Sequence, residues 1–116
     1  IRIAETNTLL FPFTKLGILP GLASTYFLPL LIGANKAKEI ILTNAKLNSS
    51  EALNIGLVNE VVDENKSEAR LSEIAFSMAK INQKVLFAGK QAFQDNLEAN
   101  VQNAIKREQN LIKTIK

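Results

Sequence analysis

The sequence predicts a mixed α/β fold in which helices predominate, and its 116 residues make one domain or part of one. Three observations support this prediction. Short apolar runs at residues 1–4 and 57–62 are typical of buried strands. An apolar segment at residues 11–25 is interrupted by prolines and glycines, which indicates a turn. Beyond residue 66, apolar residues recur at helical spacing, which predicts a final region of three helices.

The segment at residues 11–25 is the feature around which the rest of the chain is arranged. Pro12 and Pro20 fix φ and disfavour helix in the residue before each of them. Gly17 and Gly21 permit backbone conformations or close approaches that a Cβ would block. Two interpretations are open. The segment is either a turn that joins a buried strand to a buried helix, or the wall of a pocket with its backbone bent around a ligand.

Short elements are predicted on both sides of this segment. Residues 8–11 form a second extended piece. Helices follow at residues 24–31, 35–43 and 49–55, and the first of them is apolar on most sides and therefore buried. A strand at residues 57–62 comes next. The residues expected to cap or stop these helices are Ser24 or Thr25, Gly33, Asn35, Asn44, Asn48 together with Glu51, and Gly56.

A polar linker at residues 63–66 is the best internal boundary, and it divides the chain into residues 1–62 and 63–116. Gly89 in the second part would leave room for another element to pack closely. The apolar stripe of the last helix is longer than so small a chain needs for its own core, which indicates docking onto a neighbouring domain or subunit. That stripe consists of Val101, Ala104, Ile105, Glu108, Leu111, Ile112 and Ile115.

The composition excludes several kinds of site. The chain has no cysteine and no histidine, so it contains no disulfide framework, no ordinary zinc or haem site and no Ser-His-Asp triad. The absence of cysteine fits a reducing compartment, and we expect a cytoplasmic protein. The longest apolar run, residues 26–32, is too short to span a bilayer, and we see no signal peptide. The first residues read like a strand already under way, so we expect a fragment whose first half is missing.

The net charge of +3 comes from residues 83–116, which contain six Lys or Arg residues and three Asp or Glu residues. A basic C-terminal third could meet a phosphate group. It lacks the dense basic run and the interleaved aromatic residues that nucleic-acid binding requires, so a solvated helix face is the favoured interpretation. We therefore expect neither a nucleic-acid partner nor a membrane partner.

Two motifs resemble a known family. They are Phe-Pro-x-x-x-Leu-Gly-x-x-Pro-Gly from Phe11 and Ser-x-Glu-Ala-x-x-x-Gly-Leu-Val-Asn-x-Val-Val from Ser49. With the helices between them, they look like the second half of the enoyl-CoA hydratase/isomerase (crotonase) family, and the block from Glu51 to Asn59 is the most specific part. The matching residues are Pro12, Leu16, Gly17, Pro20, Gly21, Leu28, Pro29, Gly33, Ala37, Glu39, Leu42, Thr43, Glu51, Ala52, Gly56, Leu57, Val58, Asn59 and Val62.

This resemblance implies a fold and an activity. The fold is the C-terminal part of a crotonase-like spiral of ββα turns at residues 1–62, followed by a helical oligomerisation region at residues 63–116. Members bind acyl-CoA thioesters, use no cofactor beyond the coenzyme A of the substrate, and assemble as trimers or hexamers. Two backbone N–H groups stabilise an enolate, and both belong to the half of the family fold that this chain lacks. We therefore expect the chain to be inactive alone.

The resemblance also implies a substrate-binding set without a catalytic residue. Phe13 stands where hydratases have their second glutamate, and Gly21 stands where related isomerases have theirs. Phenylalanine cannot accept a proton, so Phe13 either lines the acyl pocket or is simply core. Lys90 matches a common family lysine that could meet a coenzyme A phosphate, or it is a surface lysine. The expected substrate-binding residues are Pro12, Phe13, Leu16, Pro20, Gly21 and Lys90.

These departures favour isomerisation, decarboxylation or thioester handling over hydration by two glutamates. The alternative hypothesis is a non-catalytic homologue that binds acyl-CoA or serves in assembly. The long apolar stripe of the last helix and the two positions without a carboxylate both favour that alternative.

Overall fold

The computed structural model describes residues 1–94 and 96–115. Helices predominate and the strands are short, as the sequence predicts. A 3₁₀ turn at Thr14–Leu16 lies between the second strand and the first helix. The elements in chain order are β1 (Ile3–Ala4), β2 (Thr8–Leu9), α1 (Ser24–Ile32), α2 (Ala34–Thr43), β3 (Leu47–Asn48), α3 (Ser49–Asn54), β4 (Glu60–Val61), α4 (Ser67–Ala79), α5 (Gln83–Ala92) and α6 (Leu97–Ile112).

The strands form two short ladders. β1 pairs in parallel with β4, and β2 pairs antiparallel with β3. Beyond the first ladder, Asn59 Oδ1 accepts a hydrogen bond of 2.7 Å from the Arg2 backbone N–H, and the Asn59 N–H donates to the Arg2 carbonyl at 2.8 Å. These two bonds fix the first residues of the chain against the segment that precedes β4.

The three predicted extended segments are all shorter than expected. The strand predicted at residues 1–4 is limited to β1. The strand predicted at residues 57–62 is limited to β4, because the N–H groups of Leu57 and Val58 both donate to the Ala52 carbonyl at the end of α3. They are therefore turn residues, although both are buried. The segment predicted at residues 8–11 is limited to β2, because its ladder with β3 stops where Leu9 pairs with Leu47.

The helix caps follow local sequence signals in α2 and α3. Asn48 Oδ1 accepts a hydrogen bond of 2.8 Å from the Glu51 N–H, and Glu51 Oε2 accepts one of 2.8 Å from the Asn48 N–H. The predicted capping box is therefore confirmed. Asn44 ends α2 in the left-handed conformation at φ 54°, also as predicted. Asn35 is not a cap, because α2 begins one residue earlier and Gly33 takes that position.

The core lies between α1, α2, α3 and the short strands. Its buried apolar residues are Ala4, Leu28, Ala37, Ile40, Ile41, Leu47, Ala52, Leu57 and Val58. The prediction that the first helix is buried is only partly right, because Leu28 is buried whereas Leu30 is 62% exposed. The boundary at residues 63–66 stays a prediction, although every core residue named here precedes it.

The three C-terminal helices pack less tightly. Large apolar side chains of α4 and α5 lie on the surface, among them Phe76, Val85, Phe87 and Phe93. A Cβ placed on Gly89 would meet no atom within 4 Å among the described residues, so the close neighbour that Gly89 would allow is not one of them. α6 packs against α1, and its Ala104 is fully buried. In the described part of the chain, no helix is long and apolar enough to cross a membrane.

Candidate functional site

The first half of the Pro/Gly-rich segment is fixed to the end of α2. A tight turn forms after Pro12, because the Leu16 N–H donates to the Pro12 carbonyl at 3.0 Å. Thr14 Oγ1 donates to the Ile41 carbonyl at 2.9 Å, and the Lys15 N–H donates to Asn44 Oδ1 at 2.9 Å. The segment therefore lies along α2, held through the Thr14 side chain and the Lys15 backbone by residues 27 and 29 positions away.

The predicted wall residues differ in their exposure. Pro12, Phe13, Pro20 and Gly21 are half-buried, so their surfaces are shared between the fold and solvent. Leu16 is 65% exposed. The half-buried state of Phe13 leaves both of its interpretations open, as a pocket side chain or as part of the packing.

The second half of the segment contains an unusual turn. Leu22 and Ala23 are both left-handed, with φ of 59° and 58°. This conformation costs a residue with a Cβ roughly 1–2 kcal/mol, so two in succession need support from their surroundings. Leu22 is 91% exposed, whereas Ala23 is 1% exposed. Gly21 is not left-handed, and its carbonyl accepts a hydrogen bond of 3.0 Å from the Ser24 N–H.

The support comes from Glu108 in α6. Its Oε2 accepts a hydrogen bond of 3.0 Å from the Ala23 N–H. Its Oε1 accepts one of 3.2 Å from the Thr25 N–H and one of 2.6 Å from Thr25 Oγ1. A carboxylate 83 residues away in the chain therefore caps the N-terminus of α1, where it also complements the positive end of the helix dipole.

The predicted caps of α1, Ser24 and Thr25, are wrong. Neither side chain accepts a hydrogen bond from the first turn, because Ala23 takes the capping position in a left-handed conformation. Thr25 donates its hydroxyl to Glu108 instead. Ser24 Oγ is buried and has no hydrogen-bond partner among the described residues.

A cavity of about 250 Å³ lies between α1 and α2, beside this turn. Its surface is almost entirely apolar, and Pro20 and Thr25 are among the residues that line it. Such a cavity suits a short aliphatic group better than a polar one. Its lining residues are Pro20, Thr25, Pro29, Ala37, Lys38, Ile41 and Leu42.

Lys90 lies elsewhere. It is an exposed residue of α5 and lines a groove of about 890 Å³ together with Ile1, Phe87 and Phe93. Pro20 lines the cavity between α1 and α2, so the structure does not bring Lys90 and Pro20 into one cavity. The groove is mainly apolar, with Lys90 as its cationic side chain.

The other charged residues form structural contacts. Glu5 Oε1 accepts hydrogen bonds of 2.6 Å from Ser67 Oγ and 3.3 Å from the Ser67 N–H, so it caps α4. These bonds, the Ser67 hydroxyl first, hold the pKa of the Glu5 carboxyl below its ordinary value of 4.5. Arg70 Nε donates to Glu60 Oε1 at 2.8 Å, and hydrogen bonds to Glu60 and Glu73 raise the pKa of Arg70. Among the described residues, no group of three or more potential metal-binding side chains comes together.

Glu108 is the residue that sequence reasoning missed. The sequence contained a signal for it, because Glu108 is the one acid on the apolar stripe of α6. The helical period places residue 108 on the inner face of α6. A buried carboxylate there needs hydrogen-bond donors, and these must come from another element. Glu108 is 5% exposed, which agrees with that requirement.

The fold and the segment around residues 11–25 define a known class of protein. The family model described as enoyl-CoA hydratase/isomerase matches residues 1–116. The chain belongs to the enoyl-CoA hydratase/isomerase family.

Individual relatives agree with this assignment. The chain is 34% identical over 106 residues to the short-chain-enoyl-CoA hydratase of Clostridium acetobutylicum, which covers 90% of this chain and 41% of that protein. A crystal structure of an enoyl-CoA hydratase/isomerase from Pseudoalteromonas atlantica is similar with a TM-score of 0.88 and 28% identity, over 97% of this chain and 46% of that one. DspI of Pseudomonas aeruginosa is similar with a TM-score of 0.79 and 31% identity, over 95% and 42%. The chain therefore spans less than half the length of these relatives.

Proposed function

We propose that the whole protein acts on acyl-CoA thioesters through a stabilised enolate, as an enoyl-CoA hydratase/isomerase-like enzyme. The observation that supports this proposal most strongly is the family match over residues 1–116. The apolar cavity between α1 and α2 is consistent with it, because an aliphatic acyl group would bind favourably to the apolar surface of this cavity. Coenzyme A would enter as part of the substrate, without a further cofactor.

In this proposal the chain contributes a wall of the site but no acid. Phe13 and Gly21 take the two positions where a carboxylate would be expected, and neither can accept a proton. Hydration by two glutamates is therefore disfavoured, and isomerisation, decarboxylation or thioester handling is favoured. The proposed wall consists of Pro12, Phe13, Leu16, Pro20 and Gly21, with Lys90 as a cation for a coenzyme A phosphate.

The chain alone is expected to be catalytically inactive. The hydratase of Clostridium acetobutylicum to which it is similar is more than twice its length. The backbone N–H groups that would stabilise the enolate belong, by the family resemblance, to the part that this chain does not contain.

The test is an assay of the full-length protein with crotonyl-CoA. We expect hydration to be weak in the unmodified protein and to rise in Phe13→Glu, because a carboxylate there could activate water. Phe13→Gln is the matched control, since glutamine has the same shape as glutamate but no charge. Robust hydration by the unmodified protein would contradict the role proposed for Phe13, and no turnover of any acyl-CoA would contradict the enzyme proposal itself.

The alternative is a homologue without catalysis that binds acyl-CoA or serves in assembly. The exposed apolar residues of α4, α5 and α6 favour it, because exposed apolar faces of this kind mark interaction surfaces. We propose that these helices make the contacts of a homotrimer or hexamer. Calorimetry with butyryl-CoA and sedimentation of the full-length protein would separate the two hypotheses: binding and assembly without turnover favour the alternative.

A further inference from the structure

We propose that Glu108 is a positioning residue of the acyl-CoA site. Through the turn at Leu22 and Ala23, it sets the positions of Pro20, which belongs to the proposed wall, and of Thr25, which lines the same cavity. This inference rests on the function proposed above. The residue itself stands in α6, outside the segment that the family resemblance marks as the wall.

Both oxygens of the Glu108 carboxylate accept hydrogen bonds. Three donors converge on its two oxygens: the Ala23 N–H at 3.0 Å, the Thr25 N–H at 3.2 Å and Thr25 Oγ1 at 2.6 Å. Hydrogen bonds to an ionised acceptor are the strong ones, and burial strengthens them further. The carboxylate thus joins the residues on either side of Ser24 and fixes the angle at which the chain enters α1.

The turn needs this support and also borders the cavity. Leu22 and Ala23 are held in a conformation that residues with a Cβ avoid, so without an external partner the turn would relax. Thr25 lines the cavity between α1 and α2, and Pro20 lines it from the other side of the turn. A relaxed turn would therefore move both residues and change the shape of the cavity.

α6 is itself fixed at this point. Ala104, one helical turn before Glu108, is fully buried. Asn100 Nδ2 donates to Tyr26 Oη at 3.4 Å, which adds a second contact between α6 and α1. The position of the carboxylate is consequently set by packing along α6, and the helix transmits that position to the turn.

The test compares Glu108→Gln with Glu98→Gln, an exposed glutamate on the same helix, in the full-length protein. Glutamine has only one acceptor oxygen, so its side chain cannot accept hydrogen bonds from both Ala23 and Thr25. Its N–H₂ group would instead face the backbone N–H of one of these residues. We expect amide exchange at Ala23 and Thr25 to rise by about tenfold or more in Glu108→Gln, while amides of α2 keep their protection. The dissociation constant for butyryl-CoA should rise by about tenfold, and Glu98→Gln should change neither quantity by more than about twofold.

Each outcome is decisive. Unchanged exchange at Ala23 and Thr25 would overturn the proposal, and so would faster exchange with an unchanged affinity for butyryl-CoA. If Glu108→Gln does not fold, Thr25→Val can replace it, because it removes one hydrogen-bond donor to Glu108 and keeps the other two. It should also raise amide exchange and the dissociation constant for butyryl-CoA, but by smaller factors. An unmodified protein that does not bind butyryl-CoA refutes the proposed function first, and with it the positioning role; exchange data would still report separately whether Glu108 holds the turn.

Discussion

Thr25 Oγ1 and Glu108 Oε1 lie 2.6 Å apart, and this hydrogen bond joins the first turn of α1 to a helix that begins more than seventy residues later. Both groups are partly or fully shielded from solvent, and the acceptor is a carboxylate. The two residues should therefore be strongly coupled in their effect on stability.

A double-mutant cycle measures this coupling. Thr25→Val should lower the free energy of unfolding by about 1.5–3 kcal/mol, the range for a hydrogen bond to a charged group. In a Glu108→Gln background, Thr25→Val should lower the free energy of unfolding by clearly less, because residue 108 has already lost an acceptor oxygen and its charge. Denaturant unfolding of the four proteins gives the coupling energy. Strictly additive effects would contradict a direct interaction.

Ser24→Ala should behave in the opposite way. Ser24 Oγ is buried without a hydrogen-bond partner among the described residues, so the hydroxyl makes no contact that alanine would lose. Removing it should leave the free energy of unfolding within about 0.5 kcal/mol or raise it. Thermal unfolding of Ser24→Ala beside Thr25→Val, at adjacent positions of one helix, checks the contrast. A clear loss of stability in Ser24→Ala would indicate a partner that the structure lacks.

Leu22→Gly should stabilise the protein although glycine is usually unfavourable. Leu22 is left-handed at φ 59° and 91% exposed, so glycine relieves the strain and loses little packing. Relief of about 1–2 kcal/mol exceeds the entropic cost of glycine, and we expect a net gain of about 0.5–1 kcal/mol. Leu30→Gly is the control, because Leu30 is exposed and helical in α1, where glycine should lower the free energy of unfolding by about 1 kcal/mol. Equal losses in both variants would refute the interpretation.

Gly21→Glu should be tolerated, whereas Gly17→Glu should not. A Cβ on either glycine meets no atom within 4 Å among the described residues, but Gly17 has a φ of 69° and Gly21 is not left-handed. The loss of free energy of unfolding should therefore be small for Gly21→Glu and about 1–2 kcal/mol for Gly17→Glu. Melting temperatures of the two variants provide the comparison. If Gly21→Glu is stable, it also allows a carboxylate to be tested at the position that the proposed function assigns to the glutamate of related isomerases.

Stability should fall in acid partly through Glu5. Its pKa is lower in the folded protein than its ordinary value of 4.5, so the folded state binds the proton less readily than the unfolded state. This contribution is present above about pH 4.5 and is lost as the pH falls through the depressed value. Glu5→Gln should flatten the stability profile below pH 4.5, and Glu64→Gln, in the neighbouring linker, should not. Chemical unfolding across pH 3 to 6, in steps of about half a unit, measures the difference.

Among the local capping signals, those at Asn44 and at Asn48 with Glu51 are confirmed, whereas those at Ser24, Thr25 and Asn35 are wrong. The capping box of Asn48 and Glu51, and the left-handed stop at Asn44, are formed by residues within a few positions of one another. Their chemistry is complete in a short peptide, so a sequence pattern can reveal it. The two helix caps that were missed, Glu108 on α1 and Glu5 on α4, come from 83 and 62 residues away.

The same distinction explains the errors in the strands. The apolar run at residues 57–62 resembles a strand, but the Ala52 carbonyl takes the N–H groups of Leu57 and Val58 and leaves only two residues for the ladder. Pro20 lines the cavity between α1 and α2 and Lys90 lines a separate groove, and the substrate-binding roles of both stay predictions. Which elements meet in space depends on tertiary packing, which periodicity and turn signals do not specify.

The cap on α1 has a consequence for synthesis. A chain is made from its N-terminus, and structure forms while translation continues. The residues of α1 leave the ribosome long before Glu108 does, because Ala23 and Glu108 are 85 residues apart in the chain, so the nascent helix first exists without its acceptor. The entrance to α1 consequently settles only after α6 has been made, although its own residues are made about 85 residues earlier.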